Sequence, residues 1–288
     1  MNYRHAYHAG NHADVFKHAV LTLIVGHLLR KERPFFALDT HAGLGVYDLA
    51  APEALKTGEA ADGIGRVFEA GSLRSAPALL KIVHGLNEPG SLRFYPGSPG
   101  VLRALLRADD RMVLSELHPE DQEVLRAAFR GDRRVGVHLR DGYEALLAFI
   151  PPPERRGLVL VDPPYEATDE ATRLGASLVA ACRKWPTGIF VAWFPIKNRE
   201  TLRPLFSALA AGGIENGIVA EFMRQPEDGV RLAGSGMVIL NPPWQLDDAI
   251  AALAFELAAI LGAPPQQRPV RPLAAGSQGH EAASRPAT

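Results

Sequence analysis

The sequence predicts an α/β protein in which helices flank a Rossmann-like, mostly parallel sheet. Short runs of consecutive apolar residues recur along the chain, a pattern typical of strands that are buried on both faces of a parallel sheet. Longer segments with apolar residues at helical spacing separate these runs. The gap between the first two strong strand signals is too long for an ordinary crossover, which indicates an inserted helical subdomain. A chain of 288 residues is long enough for one large domain of this kind.

The first segment, residues 1–18, combines aromatic rings, cations and four histidines, whereas chain termini are usually polar and loose. Apolar residues at helical spacing predict a helix over about residues 12–28, with Asn11 as its N-cap. We interpret the segment as a lid over a substrate and cofactor site. The lid residues that would contact a nucleotide by stacking, hydrogen bonding or charge are Tyr3, His5 and Lys17.

Two alternatives for this segment stay open. One is a capped helix that exposes its histidines to solvent and binds no ligand. The other is a metal site with the ligands His8, His12, Asp14 and His18. No cysteine contributes to such a site and the spacing matches no strong zinc signature, so we expect no metal here.

The first strand is predicted at residues 35–38, and the loop after it carries Gly43 and Gly45. Glycines at a strand-to-helix junction let the backbone approach a ligand closely, so we expect Gly43 to lie against a cofactor. The three-glycine fingerprint of NAD-binding folds is absent, and S-adenosylmethionine, which has no pyrophosphate, is the better candidate. His41 stands where its side chain could contact the methionine part of that cofactor.

The next strong strand signal starts near residue 112, far beyond an ordinary crossover. We therefore expect a main domain made of residues 1–49 and 94–262, with residues 50–93 inserted as a small helical subdomain. The insertion could pack against one edge of the sheet, or it could hold substrate beside the site. A rigid Pro-Gly-Ser-Pro loop then returns the chain to the main domain and leaves Ser98 free to contact the cofactor.

Acidic residues end or follow the second and third predicted strands, residues 112–116 and 135–139. Glu116 could accept hydrogen bonds from both ribose hydroxyls of a bound nucleoside, and an ordinary surface glutamate is the alternative. Asp141 and Gly142 place a carboxylate beside a flexible turn, where it could accept a hydrogen bond from an adenine amino group. In parallel sheets, ligands bind at this end of the strands.

The fourth predicted strand, residues 158–161, runs into Asp162, Pro163, Pro164 and Tyr165. The two prolines make the turn stiff. Asp162 and the Pro163 carbonyl could accept both N–H bonds of an exocyclic amino group while the Tyr165 ring stacks on the base. This arrangement would free the nitrogen lone pair for attack. The alternative is a rigid turn that only ends a strand.

A second copy of this pattern follows the last predicted strand, where residues 236–240 run into Asn241 and a Pro-Pro-Trp sequence. In a sheet that binds S-adenosylmethionine, the reacting group follows the fourth strand. We therefore assign Asp162 as the reactive copy and Asn241 as a structural strand end. Further strands are predicted at residues 188–194 and 218–223.

The composition excludes several classes of protein. A net charge of −1 gives no global attraction to nucleic acid, so RNA or DNA binding would use local arginine-rich patches. The single cysteine, Cys182, cannot form an internal disulfide, and no N-terminal apolar run resembles a signal peptide or membrane span. We therefore expect a cytoplasmic protein. Residues 263–288 are mainly Pro, Gln, Ala, Gly and Ser, which predicts a disordered tail.

Seven motifs distributed along the chain share one resemblance. In chain order they are Tyr-Arg-His-x-Tyr-His-Ala-Gly-Asn-His-Ala-Asp-Val-x-Lys-His, Asp-Thr-His-Ala-Gly, Tyr-Pro-Gly-Ser-Pro, Glu-Leu-His-Pro, Asp-Gly, Asp-Pro-Pro-Tyr and Asn-Pro-Pro-Trp. Together they resemble the RlmJ family, whose members are bacterial large-subunit ribosomal RNA adenine-N6 methyltransferases. The similarity extends over nearly the whole chain up to about residue 262, and the long N-terminal motif is its most specific part.

The resemblance implies a Rossmann-like class I methyltransferase sheet with an inserted helical subdomain and with S-adenosylmethionine as methyl donor. Its cofactor contacts would be His18, His41, Ser98, Glu116, Asp141, Gly142 and Asp162. Asp162 would also be the catalytic residue, in a direct in-line displacement by the exocyclic N6 of an adenine. The expected substrate is 23S ribosomal RNA, protein-free or in an early assembly intermediate. We expect a monomer that uses no metal and contacts no membrane.

Two other functions stay open on the sequence alone. The geometry of Asp-Pro-Pro-Tyr also suits adenine in DNA or an amide nitrogen in protein, although the aromatic and basic N-terminus favours RNA. A non-enzymatic RNA-binding or assembly protein would keep the basic patches but would need no cofactor pocket.

Overall fold

A mostly parallel eight-stranded sheet lies at the centre of this α/β protein. The computed structural model describes residues 4–273, so Tyr3 and residues 274–288 lie outside the described part of the chain. The strands, numbered in chain order, are β1 (Phe36–Asp39), β2 (Val46–Asp48), β3 (Phe94–Pro96), β4 (Arg111–Glu116), β5 (Val135–Leu139), β6 (Gly157–Val161), β7 (Ile189–Ile196), β8 (Gly217–Met223), β9 (Gly234–Leu240) and β10 (Val270–Pro272). The α-helices are α1 (His12–Leu29), α2 (Pro52–Thr57), α3 (Arg66–Glu69), α4 (Pro77–Gly85), α5 (Ser98–Leu105), α6 (Pro119–Ala128), α7 (Gly142–Ala148), α8 (Glu170–Lys184), α9 (Arg203–Ala211) and α10 (Leu246–Leu261).

The sheet has the order β10-β8-β9-β7-β6-β1-β4-β5, and β5, β4, β1, β6 and β7 are parallel to one another. The residues that follow these five strands therefore lie at one edge of the sheet. The strands β9 and β10 run in the opposite direction. All seven strands that the sequence predicts are present, which confirms the predicted fold class. The strands β2, β3 and β10 have three residues each and are too short for a periodic sequence signal.

Two apolar cores cover the two faces of the sheet. One core packs the sheet against α1, α4, α5 and α10, and the other packs it against α7, α8 and α9. All five residues of β6 are buried because this strand lies between the cores, which explains its run of consecutive apolar residues. Complete burial of a leucine such as Leu160 contributes about 1.5 to 3 kcal/mol. Among residues 4–273, no helix has both the length and the apolar character of a membrane span.

The helix α1 is buried around most of its circumference, and it packs against α4, α5, α10 and β9. As predicted, Asn11 is its N-cap, and the Asn11 side chain accepts a hydrogen bond from the Asp14 N–H at 3.0 Å. Such a cap is worth about 1 kcal/mol. Asp14, Lys17 and His18 are all buried on this helix. Their polar atoms therefore need partners inside the protein.

The segment between β2 and β3 is helical, as predicted, and contains α2, α3, α4 and a short helical turn at Ala61–Gly65. Because β2 and β3 pair antiparallel, the chain leaves and re-enters the main domain at neighbouring points. The buried residues Ile64, Val67 and Leu79 of this segment belong to the same apolar core as α1. The segment therefore packs as a layer over α1. Its extent as a separate subdomain, residues 50–93, stays a prediction.

The predicted disordered tail is wrong for residues 263–273. This stretch runs back along the sheet, where β10 pairs antiparallel with β8. The buried side chain of Gln266 accepts a hydrogen bond from the Met223 N–H at 2.8 Å and donates one to the Met223 carbonyl at 2.9 Å. Without this stretch, β8 would be an edge strand with unpaired backbone groups, and this is the physical reason for the order.

Candidate active site

One cavity of about 470 Å³ opens at the carboxyl edge of β1, β4, β5, β6 and β7. Loops after these strands line it, and α1 forms a further wall. Every predicted site residue that the structure describes lies in this lining, whereas Tyr3 falls outside the described residues. The lining residues that the sequence predicted are His5, Lys17, His18, His41, Gly43, Ser98, Glu116, Asp141, Gly142, Asp162, Pro163 and Tyr165. The structure brings these side chains together, and their individual roles stay predictions.

The end of β4 presents Glu116 to the cavity, with both carboxylate oxygens held by backbone N–H groups. Gly43 donates to Oε2 at 2.8 Å, and His118 donates to Oε1 at 2.8 Å. A larger residue would not fit at Gly43, because its φ is +59° and a Cβ there would lie 2.2 Å from the Tyr47 hydroxyl. A carboxylate has about four acceptor positions, so Glu116 retains lone pairs for two ribose hydroxyls.

Asp141 is the N-cap of α7. Its Oδ1 accepts hydrogen bonds from the Tyr143 and Glu144 N–H groups at 2.9 and 3.1 Å, and Arg173 donates to both carboxylate oxygens at 3.0 Å. Burial opposes ionisation, but the Glu144 N–H and the Arg173 guanidinium outweigh it and lower the pKa of Asp141. An ionised carboxylate at this position is suited to accept a hydrogen bond from an adenine amino group.

Two histidines of the lining, the buried His18 and the partly buried His41, are neutral at neutral pH. Burial lowers the pKa of His18 to about 3 and that of His41 to about 4. The Nδ1 atom of His18 lies 2.8 Å from the Tyr95 hydroxyl, and that of His41 lies 2.8 Å from Thr40 Oγ1. A Cβ at Gly142 would lie 2.5 Å from His41 Cε1, so the glycine allows these two loops to touch. Neutral imidazoles do not repel a cationic ligand.

Asp39, at the end of β1, does not line the cavity but accepts a hydrogen bond from the N–H of the lining residue His41 at 3.3 Å, and the sequence reasoning gave it no role. Its side chain is fully buried, and Oδ2 has no hydrogen-bond partner among the described residues. Burial raises the pKa of Asp39 to about 7, against the opposing hydrogen bond from Ser98, and the nearby charge of Asp162 raises it further. The signal that could have identified it is an acid at a strand end directly before a glycine loop.

Lys17 connects Asp162 to the start of α1. Its Nζ atom lies 2.5 Å from Asp162 Oδ2 and 2.8 Å from Asp14 Oδ1. Burial alone would lower the pKa of Lys17, but the Asp14 and Asp162 carboxylates raise it well above its ordinary value. Asp14 also accepts hydrogen bonds from the His5 ring at 2.8 Å and from the Gly10 N–H at 3.0 Å. The contact between Lys17 and Asp162 joins residues 145 positions apart, so no local sequence pattern predicts it.

The Tyr165 ring forms part of the wall beside Asp162. Its φ of +53° is unusual for an aromatic residue, and such strained positions, which cost about 1 to 3 kcal/mol, cluster at functional sites. The hydroxyl donates to the Trp193 carbonyl at 3.1 Å, and the two rings meet edge to face with centroids 5.9 Å apart. Trp193 lies inside β7 and also lines the cavity, and a tryptophan in an apolar strand gave no sequence signal of this role.

The Asn241 copy of the motif lies at the opposite edge of the sheet, because β9 runs antiparallel to β7. Its amide donates to the carbonyls of Pro186 and Gly188 at 2.9 and 2.8 Å, and its Oδ1 accepts from Asn216 at 3.1 Å. The interpretation of Asn241 as a structural strand end is therefore confirmed.

The N-terminal segment is anchored on both sides of the cavity. Arg4 forms ion pairs with Glu120 at 2.6 Å and with Asp121 at 3.2 Å, at the start of α6. On the other side, the Thr57 hydroxyl donates to the Tyr7 carbonyl at 2.5 Å. The segment therefore spans from the insertion to α6.

Three of the four side chains that the metal hypothesis would use have other partners, whereas the buried Nε2 of His12 has no hydrogen-bond partner among the described residues. His8 bonds Glu59, Asp14 bonds Lys17, and His18 bonds Tyr95. Within residues 4–273, no group of three or more His, Cys, Asp and Glu side chains is arranged to hold a metal ion.

Comparisons with known proteins agree with this geometry. The model of the family described as "Ribosomal RNA large subunit methyltransferase D, RlmJ" matches residues 32–269. A ribosomal RNA large subunit methyltransferase J from Escherichia coli (strain K12) is 41% identical over 249 residues, which cover 86% of this chain and 89% of that protein. The protein of the same name from Haemophilus influenzae is 42% identical over 250 residues, with the same coverage. A crystal structure of a Legionella pneumophila protein superposes with a TM-score of 0.85 at 30% identity and covers 94% of this chain and 99% of that one.

Proposed function

The chain belongs to the RlmJ family of ribosomal RNA large subunit methyltransferases, and from this premise we propose that it methylates the exocyclic N6 of an adenine in 23S ribosomal RNA with S-adenosylmethionine as donor. One observation carries the proposal beyond the family. The Asp162-Pro-Pro-Tyr turn and the acids Glu116 and Asp141 open onto a single cavity, so an amino group and a nucleoside cofactor can be held side by side.

The residues along β1, β4 and β5 fit the cofactor. Glu116 would accept the ribose hydroxyls and Asp141 the adenine amino group. His18, His41 and Ser98 would lie beside the methionine part, with the Gly43 backbone close to it. The donor set supports this assignment, because the acceptors are carboxylates and the imidazoles of His18 and His41 carry no charge. The cofactor supplies a methyl group on a positively charged sulfur.

Asp162 would position the nucleophile. Its Oδ2 is held by Lys17, so Oδ1 and the Pro163 carbonyl are the acceptors for the two N–H bonds of the substrate amino group. S-Adenosylmethionine would supply the methyl group and keep the electrons of the broken S–C bond on its sulfur, the adenine nitrogen would form the new N–C bond, and Asp162 would pass one amine proton to solvent. Stabilising the positive charge that develops on nitrogen is an electrostatic effect of about 3 kcal/mol or more.

The substrate base would enter against the Tyr165 ring, with Tyr3, His5 and Lys17 closing over the nucleotide. Because the amino group has to reach a cavity inside the protein, the adenine would be turned out of its stack, which is easiest in unpaired RNA. Protein-free or early-assembly ribosomal RNA offers such adenines. We expect a cytoplasmic monomer that uses no metal ion.

The deciding experiment is radiolabelled methyl transfer from S-adenosylmethionine to protein-free large-subunit ribosomal RNA, with DNA and intact ribosomes as parallel substrates. Nucleoside analysis should show N6-methyladenosine in the free RNA alone. Label in DNA or in protein would contradict the assigned substrate. Cofactor binding without label in any substrate would favour a non-enzymatic role in assembly.

The role of Asp162 has its own test. The variant Asp162→Asn keeps the hydrogen bond to Lys17 but removes the negative charge, so we expect methyl transfer to fall about 100- to 1000-fold. Thermal unfolding should stay close to wild type, because the amide occupies the same space. Full methyl transfer by the variant would show that Asp162 is not the catalytic residue.

A further inference from the structure

The two walls of the cavity differ in charge. The wall at β4, β5 and α8 carries the carboxylates of Glu116, Asp121, Asp141 and Glu170, of which Asp141 is bonded to Arg173. The opposite wall, formed by β7 and the start of α1, carries Lys17, His18 and Lys197, and its one carboxylate on α1, Asp14, is bonded to Lys17. A polyanion is therefore repelled by the first wall and attracted to the second.

Lys197 is the cation of the second wall that forms no hydrogen bond or ion pair with residues 4–273. It directly follows β7, is exposed, and lines the cavity together with Trp193 and Pro195, which alternate with it along the strand. Three Lys or Arg side chains line the cavity within the described residues. Lys17 is bonded to two carboxylates and Arg173 to one, whereas Lys197 has no hydrogen bond or ion pair there.

The carboxylates near Lys197 are already bonded elsewhere. Glu59 accepts from the His8 ring at 3.0 Å and from the Asn11 amide at 2.9 Å. The hydrogen bond to Glu59 raises the pKa of His8, and the charge of Lys197 opposes that rise, which places Lys197 close to the start of α1. Glu166, in the loop after β6, lies between the two walls.

We propose that Lys197 binds a backbone phosphate of the RNA next to the target adenine. This inference rests on the proposed function, and it adds the path by which the RNA backbone leaves the site. Trp193, whose carbonyl accepts from the Tyr165 hydroxyl, marks the level of the base. Four residues of strand separate Trp193 from Lys197, about 13 Å, and the flexible lysine stem extends over part of that distance. The distance between these residues suits an RNA nucleotide whose base lies near Trp193 and whose backbone phosphate lies at Lys197.

A second cation continues this path. Arg224 follows β8, two strand spacings or about 10 Å from β7 across β9. Its only side-chain contact within residues 4–273 is a long hydrogen bond to the Gly262 carbonyl, at 3.4 Å. Burial lowers the pKa of His12 to about 4 and the charge of Arg224 adds to this effect, so Arg224 also lies near the start of α1. Lys197 and Arg224 thus both lie near the start of α1, and of the two only Lys197 lines the cavity within the described residues.

The test compares Lys197→Ala and Lys197→Arg with Lys31→Ala. Lys31 is an exposed lysine beyond the end of α1, at the opposite edge of the sheet, and serves as the matched control. For each variant, filter binding measures the affinity for protein-free large-subunit ribosomal RNA from about 50 to about 300 mM salt. Steady-state kinetics measure methyl transfer, and calorimetry measures the affinity for S-adenosylmethionine. Methyl transfer by the wild-type protein to this RNA is measured first. If it is absent, the proposed function is wrong, and this result is known before any Lys197 variant is compared.

We expect Lys197→Ala to raise the KM for RNA about threefold to tenfold, with kcat within twofold of wild type. The slope of log affinity against log salt should become shallower by about 0.7 to 0.9, the value for one phosphate contact. Lys197→Arg should restore the slope, and Lys31→Ala should match wild type. Three results would overturn the proposal: an unchanged slope in Lys197→Ala, an equal effect of Lys31→Ala, or weaker binding of S-adenosylmethionine to Lys197→Ala.

Discussion

A buried lysine between two buried carboxylates is the central residue-scale feature of this protein. Lys17 contacts Asp14 and Asp162 through two charged hydrogen bonds, and all three groups have lost most of their contact with water. Both carboxylates depend on the one ammonium group between them, because an unpaired buried charge is costly. Asp14 therefore holds Lys17, and Lys17 holds one oxygen of Asp162 in place.

The variant Lys17→Met removes the cation and leaves Asp14 and Asp162 facing an apolar side chain. We expect a loss of about 3 to 5 kcal/mol in the free energy of unfolding, measured by urea denaturation at pH 7. The double variant Asp14→Asn with Lys17→Met removes one of the stranded charges and should recover about half of that loss. Equal stability of the single and the double variant would contradict the charge-balance argument.

Asp39 gives a pH dependence of stability. Its pKa is about 7 in the folded protein against an ordinary value of 3.8, so the folded state binds more protons than the unfolded chain between about pH 4 and pH 7. The contribution of Asp39 to stability therefore falls as the pH rises through this window, by about 1.4 kcal/mol per pH unit at most. Asn at this position does not titrate, so the advantage of Asp39→Asn over wild type should grow from pH 4.5 to pH 7. Urea unfolding across this range measures it, and a constant difference would contradict the assignment.

At the scale of elements, the insertion holds the N-terminal segment over the site. The Ile64 N–H donates to the Gly10 carbonyl at 2.8 Å, and a Cβ at Gly63 would lie 2.1 Å from the same oxygen. Thr57 and Glu59 add side-chain contacts to residues 7–11. The sequence left two roles open for the insertion, packing against an edge of the sheet or holding substrate beside the site. The contacts point to a further role, which is support of the N-terminal segment that carries His5 and Lys17.

The variant Gly63→Ala should separate the insertion from the N-terminal segment. The clash with the Gly10 carbonyl involves backbone atoms, so we expect a loss of about 1 to 3 kcal/mol in stability and a clear drop in methyl transfer. Gly85→Ala, on α4 of the same insertion, is the control, because nothing lies within 4 Å of the added Cβ and alanine favours the helix. If both variants behaved alike, the contact at Gly63 would have no part in holding the lid.

At the scale of the whole molecule, the positions of seven strands along the chain could be predicted from the sequence, and the contacts between distant loops could not. Runs of consecutive apolar residues such as that of β6 predict strands, because burial on both faces requires an apolar residue at every position. Asp162 and Glu116 were found because strand ends of a parallel sheet meet at one edge. The ion pair from Lys17 to Asp162, the role of Trp193 and the strand β10 depend on tertiary packing, which leaves no local periodicity.

The return of residues 263–273 to the sheet can be tested by truncation. A variant that ends at residue 273 retains every described contact, whereas one that ends at residue 262 loses β10, the buried Gln266 and the buried Leu273. We expect the shorter variant to lose several kcal/mol of stability, of which burial of Leu273 alone contributes about 1.5 to 3 kcal/mol. Thermal unfolding of the two variants side by side measures the difference. Equal midpoints would mean that β10 does not protect β8.

The pairing of β2 with β3 has a consequence for how the chain can vary in length. Both ends of the insertion emerge from the paired strands β2 and β3. The entropic free-energy cost of closing the loop between them therefore rises only slowly with loop length, by about 0.6 kcal/mol for each doubling of the number of residues. The part that touches the N-terminal segment, residues 57–64, is fixed by its contacts, and α4 is fixed by its packing in the apolar core of α1, whereas the exposed loop at residues 88–91 has neither constraint. We therefore expect this stretch to accept insertions and deletions that neither reshape the sheet nor disturb the chemistry at its edge.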